Sequence, residues 1–323
     1  MPPSTCSAQA IDATRGSDSG SASAAYAAAY VAARRGALRP PRSHCARVGR
    51  MTDQHAAAAR VAAAYNAASD RYTAPPLSFW DRFGAETVRR MGLRSGAHVL
   101  DLCCGAGASA LAAARVVGPS GQVLALDLSP RLLELAARRA AYEGLDNIEF
   151  RCADATSTGL PSESFDAVVC VFGVFFAADR HGFVAEMWRH LAPGGALAVT
   201  TWGPHLFEPG NSLFWHEVGQ LRPDLDRAFN PWDDLVTPDA LDNLLRSVGI
   251  GDVVVTAERG THRLLTSDDF WQIVLGSGYR GTVDALTPEQ VDAVRDAVVG
   301  ELRLRCVQAI TTNVVYSHAI RPT

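Results

Sequence analysis

Between residues 98 and 202 short apolar runs alternate with segments of helical period, and this alternation constrains the fold more than any other feature of the chain. His98–Leu102 reads HVLDL, a strand that closes on an acid. Gly105-Ala106-Gly107 follows, and then Ser109–Val117, a predicted helix of small residues. After the turn Gly118-Pro119-Ser120-Gly121, Gln122–Leu128 (QVLALDL) is a second strand with an acid near its end. Ser129 and Pro130 supply an N-cap and a first-turn proline, and the helix Arg131–Tyr142 is expected to stop at Gly144. Ile148–Cys152 is a third strand. Phe165–Val171, apolar almost throughout, reads as a fourth strand buried on both faces. A helix over Asp179–Leu191 is stopped by Pro193-Gly194-Gly195, and Ala196–Trp202 is the fifth strand. Such an order predicts an α/β fold with a parallel, doubly wound sheet covered by helices.

Beyond Gly203 the pattern loosens. Helices are expected over Ser212–Leu221, from Pro238 to Val248, over Ser267–Gly276 and over Pro288–Leu302, with strands at Asp252–Ala257 and Thr311–Ile320. No internal repeat is visible. The longest apolar run, Ala167–Ala178, is too short to span a bilayer.

Composition narrows the function classes. The chain has 323 residues, 48% hydrophobic and 20% charged, with a formal net charge of −4. That balance argues against a general nucleic-acid binder and against a basic membrane-surface protein. All 30 basic residues are arginine, which reads as the codon bias of a GC-rich genome. Seven cysteines, none in C-x₂₋₄-C spacing, indicate neither a disulfide framework nor a zinc site and fit a reducing cytoplasm. Residues 1–50 differ: seven arginines stand against Asp12 and Asp18 in a stretch rich in Ala, Ser and Pro. We read them as a disordered or mis-assigned extension ahead of Met51, with an organelle transit peptide as the alternative. From Thr52 a polar cap leads into the helix-like run Ala56–Ala64.

Three features share one edge of the predicted sheet. Gly105 and Gly107 let the backbone approach a ligand and turn sharply into a helix, whose first N–H groups are then free. Asp127 stands 20 residues beyond Gly107, at the end of the next strand, where a carboxylate suits a ribose diol. Asp154, beyond the third strand, can receive an adenine amino group. Open α/β sheets bind ligands at strand carboxyl ends, and all three features lie there. The spacing Gly105-x-Gly107-x-x-Ala110 also fits the dinucleotide fingerprint, so an NAD(P)-dependent oxidoreductase is the rival reading. Against it stand the second acid after the third strand, the Pro-Gly-Gly before the fifth, and the absence of a second mononucleotide-binding half and of any lysine. A third reading is a fold member that binds its nucleoside cofactor for another reaction or only for structure.

The tracts VLDLCCGAGASAL (Val99–Leu111), QVLALDLSPRLLELA (Gln122–Ala136), CADATSTGLPSESFDAVVC (Cys152–Cys170) and LAPGGALAVTTW (Leu191–Trp202) resemble class I S-adenosylmethionine-dependent methyltransferases. The similarity is greatest to the branch of the ubiquinone/menaquinone-biosynthesis C-methyltransferases and many small-molecule methyltransferases. It covers about residues 60–203, and the last third only in layout. The resemblance implies a Rossmann-like, mostly parallel seven-stranded sheet with a helical cap from the N-terminal segment and C-terminal inserts. Residues 51–92 would be cap helices, 93–203 the cofactor-binding core, and 204–323 a cap insert with the last strands and helices. It further implies S-adenosyl-L-methionine as cofactor and a small-molecule acceptor, with no nucleic acid, no membrane span, and a monomer or homodimer. By position Asp101, Gly105 and Gly107 would line the methionine part, and Asp127 would bind the ribose. Leu128 would pack on adenine, Ala153 and Asp154 would touch its edge, and Val171 and Phe172 would lie beneath the sulfonium. Tyr65 and Tyr72 would belong to a helical lid over the cofactor.

The quinone enzymes carry polar and basic residues after their Phe-Gly, whereas this chain has Phe172-Gly173-Val174-Phe175-Phe176, which suggests a more apolar acceptor pocket. Candidate general bases are His205, His216 and Glu217. Arg280 is a candidate for binding an acceptor carboxylate or phosphate. The aromatics Trp202, Phe207, Phe214, Trp215, Trp232, Phe270, Trp271 and Tyr279 are expected to pack a helical cap, with two or three of them facing an aromatic acceptor.

Overall fold

Five parallel strands form the doubly wound sheet that the alternation predicts, and two later strands complete it. The computed structural model describes residues 59–225 and 230–323. The extension expected over residues 1–50, and the start of the Ala56–Ala64 helix, lie outside the described residues. The strands are β1 (His98–Leu102), β2 (Gln122–Asp127), β3 (Ile148–Cys152), β4 (Phe165–Val171), β5 (Leu191–Trp202), β6 (Val253–Glu258), β7 (Thr261–Arg263), β8 (Ala309–Thr311) and β9 (Val314–Ile320). The main sheet has seven strands in the order β3-β2-β1-β4-β5-β9-β6. β1 pairs in parallel with β2 and with β4, while β9 is antiparallel to both β5 and β6. The chain therefore leaves β1 toward one edge and later returns beside it toward the other. The gap this reversal opens at the strand carboxyl ends is where α/β sheets take ligands.

The alternation of side chains along each strand divides the core in two. Leu100, Leu126, Val168, Cys170, Leu197 and Val199 face the larger cluster. Val99, Val123, Ala125, Val169, Ala196 and Ala198 face the smaller one. A sheet buried on both faces reads as continuous apolar runs, which is how β4 and β5 stood out in sequence.

Helix α1 covers residues 59–68. α2 (Phe79–Met91) and α3 (Ala108–Val117) pack closely, because a Cβ on Gly84 would lie 2.7 Å from the Ala108 carbonyl carbon. α4 (Pro130–Glu143) starts at Ser129, whose hydroxyl accepts from the Leu132 amide, and ends at Gly144. α5 (Arg180–His190) is capped by Asp179. α6 (Gly210–Leu221) begins the cap that follows β5.

Two boundaries depart from the sequence reading. The Pro193-Gly194-Gly195 stretch lies inside β5, which starts at Leu191 and pairs irregularly with β4 between Phe165 and Ala167. α5 has already ended at His190, so the Pro-Gly-Gly makes a bulge in the strand. The expected last strand, Thr311–Ile320, is two strands: β8 leaves the main sheet and pairs with β7, which carried no period-2 signal in its three residues.

Candidate active site

The loop after β1 takes the left-handed conformation at three positions, Cys103 (φ 61°), Gly105 (φ 54°) and Gly107 (φ 83°). Glycine adopts it without strain, and at Gly105 the missing side chain matters again: a Cβ would lie 3.0 Å from the Tyr72 hydroxyl. Gly107 is the N-cap of α3, and no side chain caps that helix. Beneath the loop Asp101 is fully buried and accepts from Ser109 Oγ at 2.6 Å. Its Oδ1 is buried without a hydrogen-bond partner. Burial pushes the Asp101 carboxyl from 3.8 up to about 7, against the stabilising Ser109 hydroxyl.

The acid at the end of β2 is fixed by backbone. Gly105 N donates to one Asp127 oxygen and Ser129 N to the other, both at 2.8 Å. Burial raises the Asp127 pKa, and these two amides pull the other way. Asp154 accepts from the Thr156 amide at 2.8 Å and from its hydroxyl at 2.7 Å, which holds the turn after β3. Asp127, Leu128, Ala153 and Asp154 all border one cavity of about 670 Å³.

The same cavity continues past β4 onto an aromatic wall. Phe172 stacks on Trp202 with ring centroids 3.8 Å apart and planes within 9°. Tyr72 and Trp80 lie parallel, 5.3 Å apart. Tyr65 meets Phe176 edge-on at 5.8 Å, and Trp232 meets Phe175 at 5.9 Å. α1 contributes Val61, Ala62 and Tyr65 to the lining, so the N-terminal segment borders the cavity directly. Burial holds the Tyr72 phenol well above its usual range, and it stays a protonated donor at neutral pH.

The structure thus brings together Tyr65, Tyr72, Gly105, Asp127, Leu128, Ala153, Asp154, Val171 and Phe172. Asp101 and Gly107 lie outside the lining: the first is under Ser109, which itself borders the cavity, and the second turns the chain into α3. His205 and His216 are exposed and do not border the cavity. α6 buries Phe214 and Val218, which turns His216 outward, and Glu217 also lies outside the lining. Arg280 pairs with Asp284 at 2.7 Å and with Asp70 at 3.3 Å instead of facing the cavity. Of the eight later aromatics, Trp202 and Trp232 line it; Phe207, Phe214, Phe270, Trp271 and Tyr279 are buried in the cap, and half-buried Trp215 packs against Phe214 and Tyr279 there.

Sequence reasoning missed Arg139 and Asp81. Arg139 donates to the Ala106 carbonyl at 2.8 Å and to Asp81 at 2.6 Å. It is the single cation among the described residues that line the cavity. The other charged lining groups are carboxylates, and Asp179 and Glu186 are committed to the Gly182 amide and to Arg189.

Residues 99–195 match a methyltransferase domain family. The chain is 36% identical over 180 residues to aklanonic acid methyltransferase DauC of Streptomyces sp. (strain C5), over 48% of this chain and 82% of that protein. It is 39% identical over 114 residues to the ubiquinone/menaquinone biosynthesis C-methyltransferase UbiE of Hahella chejuensis, covering 35% of this chain and 46% of that one. Thus it spans most of the first relative and about half of the second. A phosphoethanolamine N-methyltransferase of Haemonchus contortus, solved with S-adenosyl-L-methionine, aligns at TM-score 0.47 and 18% identity over 75% of this chain and 53% of that one. The chain belongs to the class I S-adenosylmethionine-dependent methyltransferases.

The residues present fit that cofactor. A Cβ at Gly105 would crowd the Tyr72 hydroxyl, an acid fixed by two amides ends β2, and a buried carboxyl oxygen beneath the loop lacks a partner.

Proposed function

We propose that this chain transfers a methyl group from S-adenosyl-L-methionine to a planar, largely apolar small molecule of the quinone-like class. The observation that carries this reading is the continuous cavity from Asp127 to the stacked Phe172–Trp202 pair. When bound, the cofactor supplies an electrophilic methyl group on a sulfonium. Asp127, oriented by the Gly105 and Ser129 amides, accepts from the ribose hydroxyls. Leu128 and Ala153 border the adenine, and Asp154 receives its amino group. Phe172 and Trp202 give the acceptor a flat face to stack on, where offset aromatic contact adds to plain apolar burial. The Tyr72–Trp80 pair and Tyr65 exclude water from the reacting atoms, which favours a displacement that starts from a cation. Alignment then supplies most of the acceleration. No histidine borders the cavity among the described residues, so an acceptor that needs a general base would draw on the lining carboxylates. The names of the relatives support this choice, since they include a demethylmenaquinone methyltransferase and a ubiquinone/menaquinone C-methyltransferase beside the aklanonic acid methyltransferase.

The test is methyl transfer from labelled cofactor to a panel holding a hydroxynaphthoquinone, an anthraquinone carboxylic acid, an aliphatic amine and a phosphorylated amine. Label on the two ring systems, reduced at least tenfold by Trp202→Ala, is expected. Label on the amines with none on the rings contradicts the proposal.

A further inference from the structure

One side chain of α1 reaches the loop that carries the ribose acid. Asn66 Oδ1 accepts from Ser129 Oγ at 2.6 Å and from the Arg131 amide at 3.3 Å. Ser129 is fully buried and each of its polar groups is engaged. Its amide donates to Asp127, its hydroxyl oxygen accepts from the Leu132 amide at 3.2 Å, and its one hydroxyl proton goes to Asn66. Arg131 lies in the first turn of α4, where backbone N–H groups have no partner within the helix. Asn66 therefore acts as a cap supplied from outside that helix, by a residue more than sixty positions earlier in the chain.

This contact joins the two sides of the cofactor cavity. Asn66 follows Tyr65, which lines the cavity beside Phe176 and Tyr72. Ser129 follows Leu128, which lines it from β2. A second contact holds the far end of the same segment, the Asp70–Arg280 ion pair at 3.3 Å. Asp70 is 56% exposed there, and exposed pairs of this kind contribute little. The Asn66 contact is partly buried and includes a short hydroxyl–carbonyl hydrogen bond, so it is the stronger of the two.

We propose that Asn66 is the latch of the cofactor cavity: its carbonyl oxygen ties α1 to Ser129 and Arg131 and sets how long the bound nucleoside is held. Asn66 is a positioning residue, and the proposal rests on the methyltransferase reading above. Only its oxygen is used, so an aspartate can replace it, and a carboxylate at a helix N-terminus is favourable.

The experiment measures S-adenosylhomocysteine dissociation by stopped flow, and its Kd by calorimetry, for the full chain and for Asn66→Ala, Asn66→Asp and Ser129→Ala. We expect Asn66→Ala to raise the off-rate and Kd roughly three- to tenfold, the range for one or two lost hydrogen bonds. Asn66→Asp should restore both to within about twofold of the parent, and adding Asn66→Ala to Ser129→Ala should have less effect than Asn66→Ala alone. A parent chain that binds S-adenosylhomocysteine while Asn66→Ala releases it at the same rate overturns the latch alone. An Asn66→Ala chain with lower Tm but unchanged off-rate does the same, since it shows a cap with no hold on the ligand. If Asn66→Ala fails to fold, an Asn66→Asp chain that folds but loses its grip on the ligand overturns it. A parent chain that does not bind S-adenosylhomocysteine removes the methyltransferase reading and the latch with it.

Discussion

Asp101 and Asp127 lie at the ends of neighbouring strands, the first fully buried and the second half-buried on the cavity wall, and their surroundings differ. Asp127 is held by two amides and is available to a ribose. Asp101 accepts from the Ser109 hydroxyl and keeps one oxygen orphaned, and burial pushes its carboxyl up to about 7. In the folded chain Asp101 keeps a proton that the unfolded chain releases above about 4. Between those two values the folded state binds more protons, so stability falls as pH rises. We predict that Asp101→Asn flattens this fall, measured as urea unfolding at about pH 5 and about pH 8. Asp127, also raised, keeps part of the slope. A slope unchanged in Asp101→Asn would mean that Asp101 is ionised in the folded chain. Asp127 was legible in sequence from its place at a strand end and its 20-residue spacing from Gly107, whereas Asp101 had a role only through the resemblance, as cofactor lining, and lies beneath the loop instead. Arg139 was not legible. It stands among arginines on a helix, Arg138 beside it, and only packing of α4 against the glycine loop tells it apart.

At the level of elements, Arg139 joins three of them: its own α4, the glycine loop through Ala106, and α2 through Asp81. A cation paired with a carboxylate at that end of the cavity matches the charges of an amino-acid head group. We predict that Arg139→Gln weakens S-adenosylhomocysteine about tenfold, as charge-assisted hydrogen bonds are lost. Methylthioadenosine, which lacks the head group, should bind the variant and the parent alike. Equal losses for both ligands would place the effect elsewhere. α6 gives the converse case. Its apolar face buries Phe214 and Val218, so His216 faces out, and His205 is exposed in the turn before it. His205→Ala and His216→Ala should each leave kcat within about twofold, the usual result for surface substitutions away from the site. A loss of a hundredfold in either would restore a general base. The cap helices were legible from their period. Which aromatics line the cavity was not, because Trp202 and Phe207 sit five residues apart and are both buried, and only the first lines the cavity.

On the scale of the whole molecule, the strand order explains why residues so far apart in sequence share one cavity. Tyr65, Asp127, Phe172 and Trp232 meet because β1 and β4 are neighbours at the point where the winding reverses. The parallel half was readable from sequence because strands buried on both faces are apolar throughout. The antiparallel β9, lodged between β5 and β6, left no local signal of its neighbours. Among the described residues no helix is long and apolar enough to cross a membrane. The glycine loop alone also suits a dinucleotide, and the two readings part at the second acid and at the aromatic wall. Calorimetry on the full chain with S-adenosylhomocysteine and with NADH separates them most directly. The account predicts micromolar S-adenosylhomocysteine, weakened at least tenfold by Asp127→Ala, and no measurable NADH binding. NADH binding tighter than S-adenosylhomocysteine would contradict it.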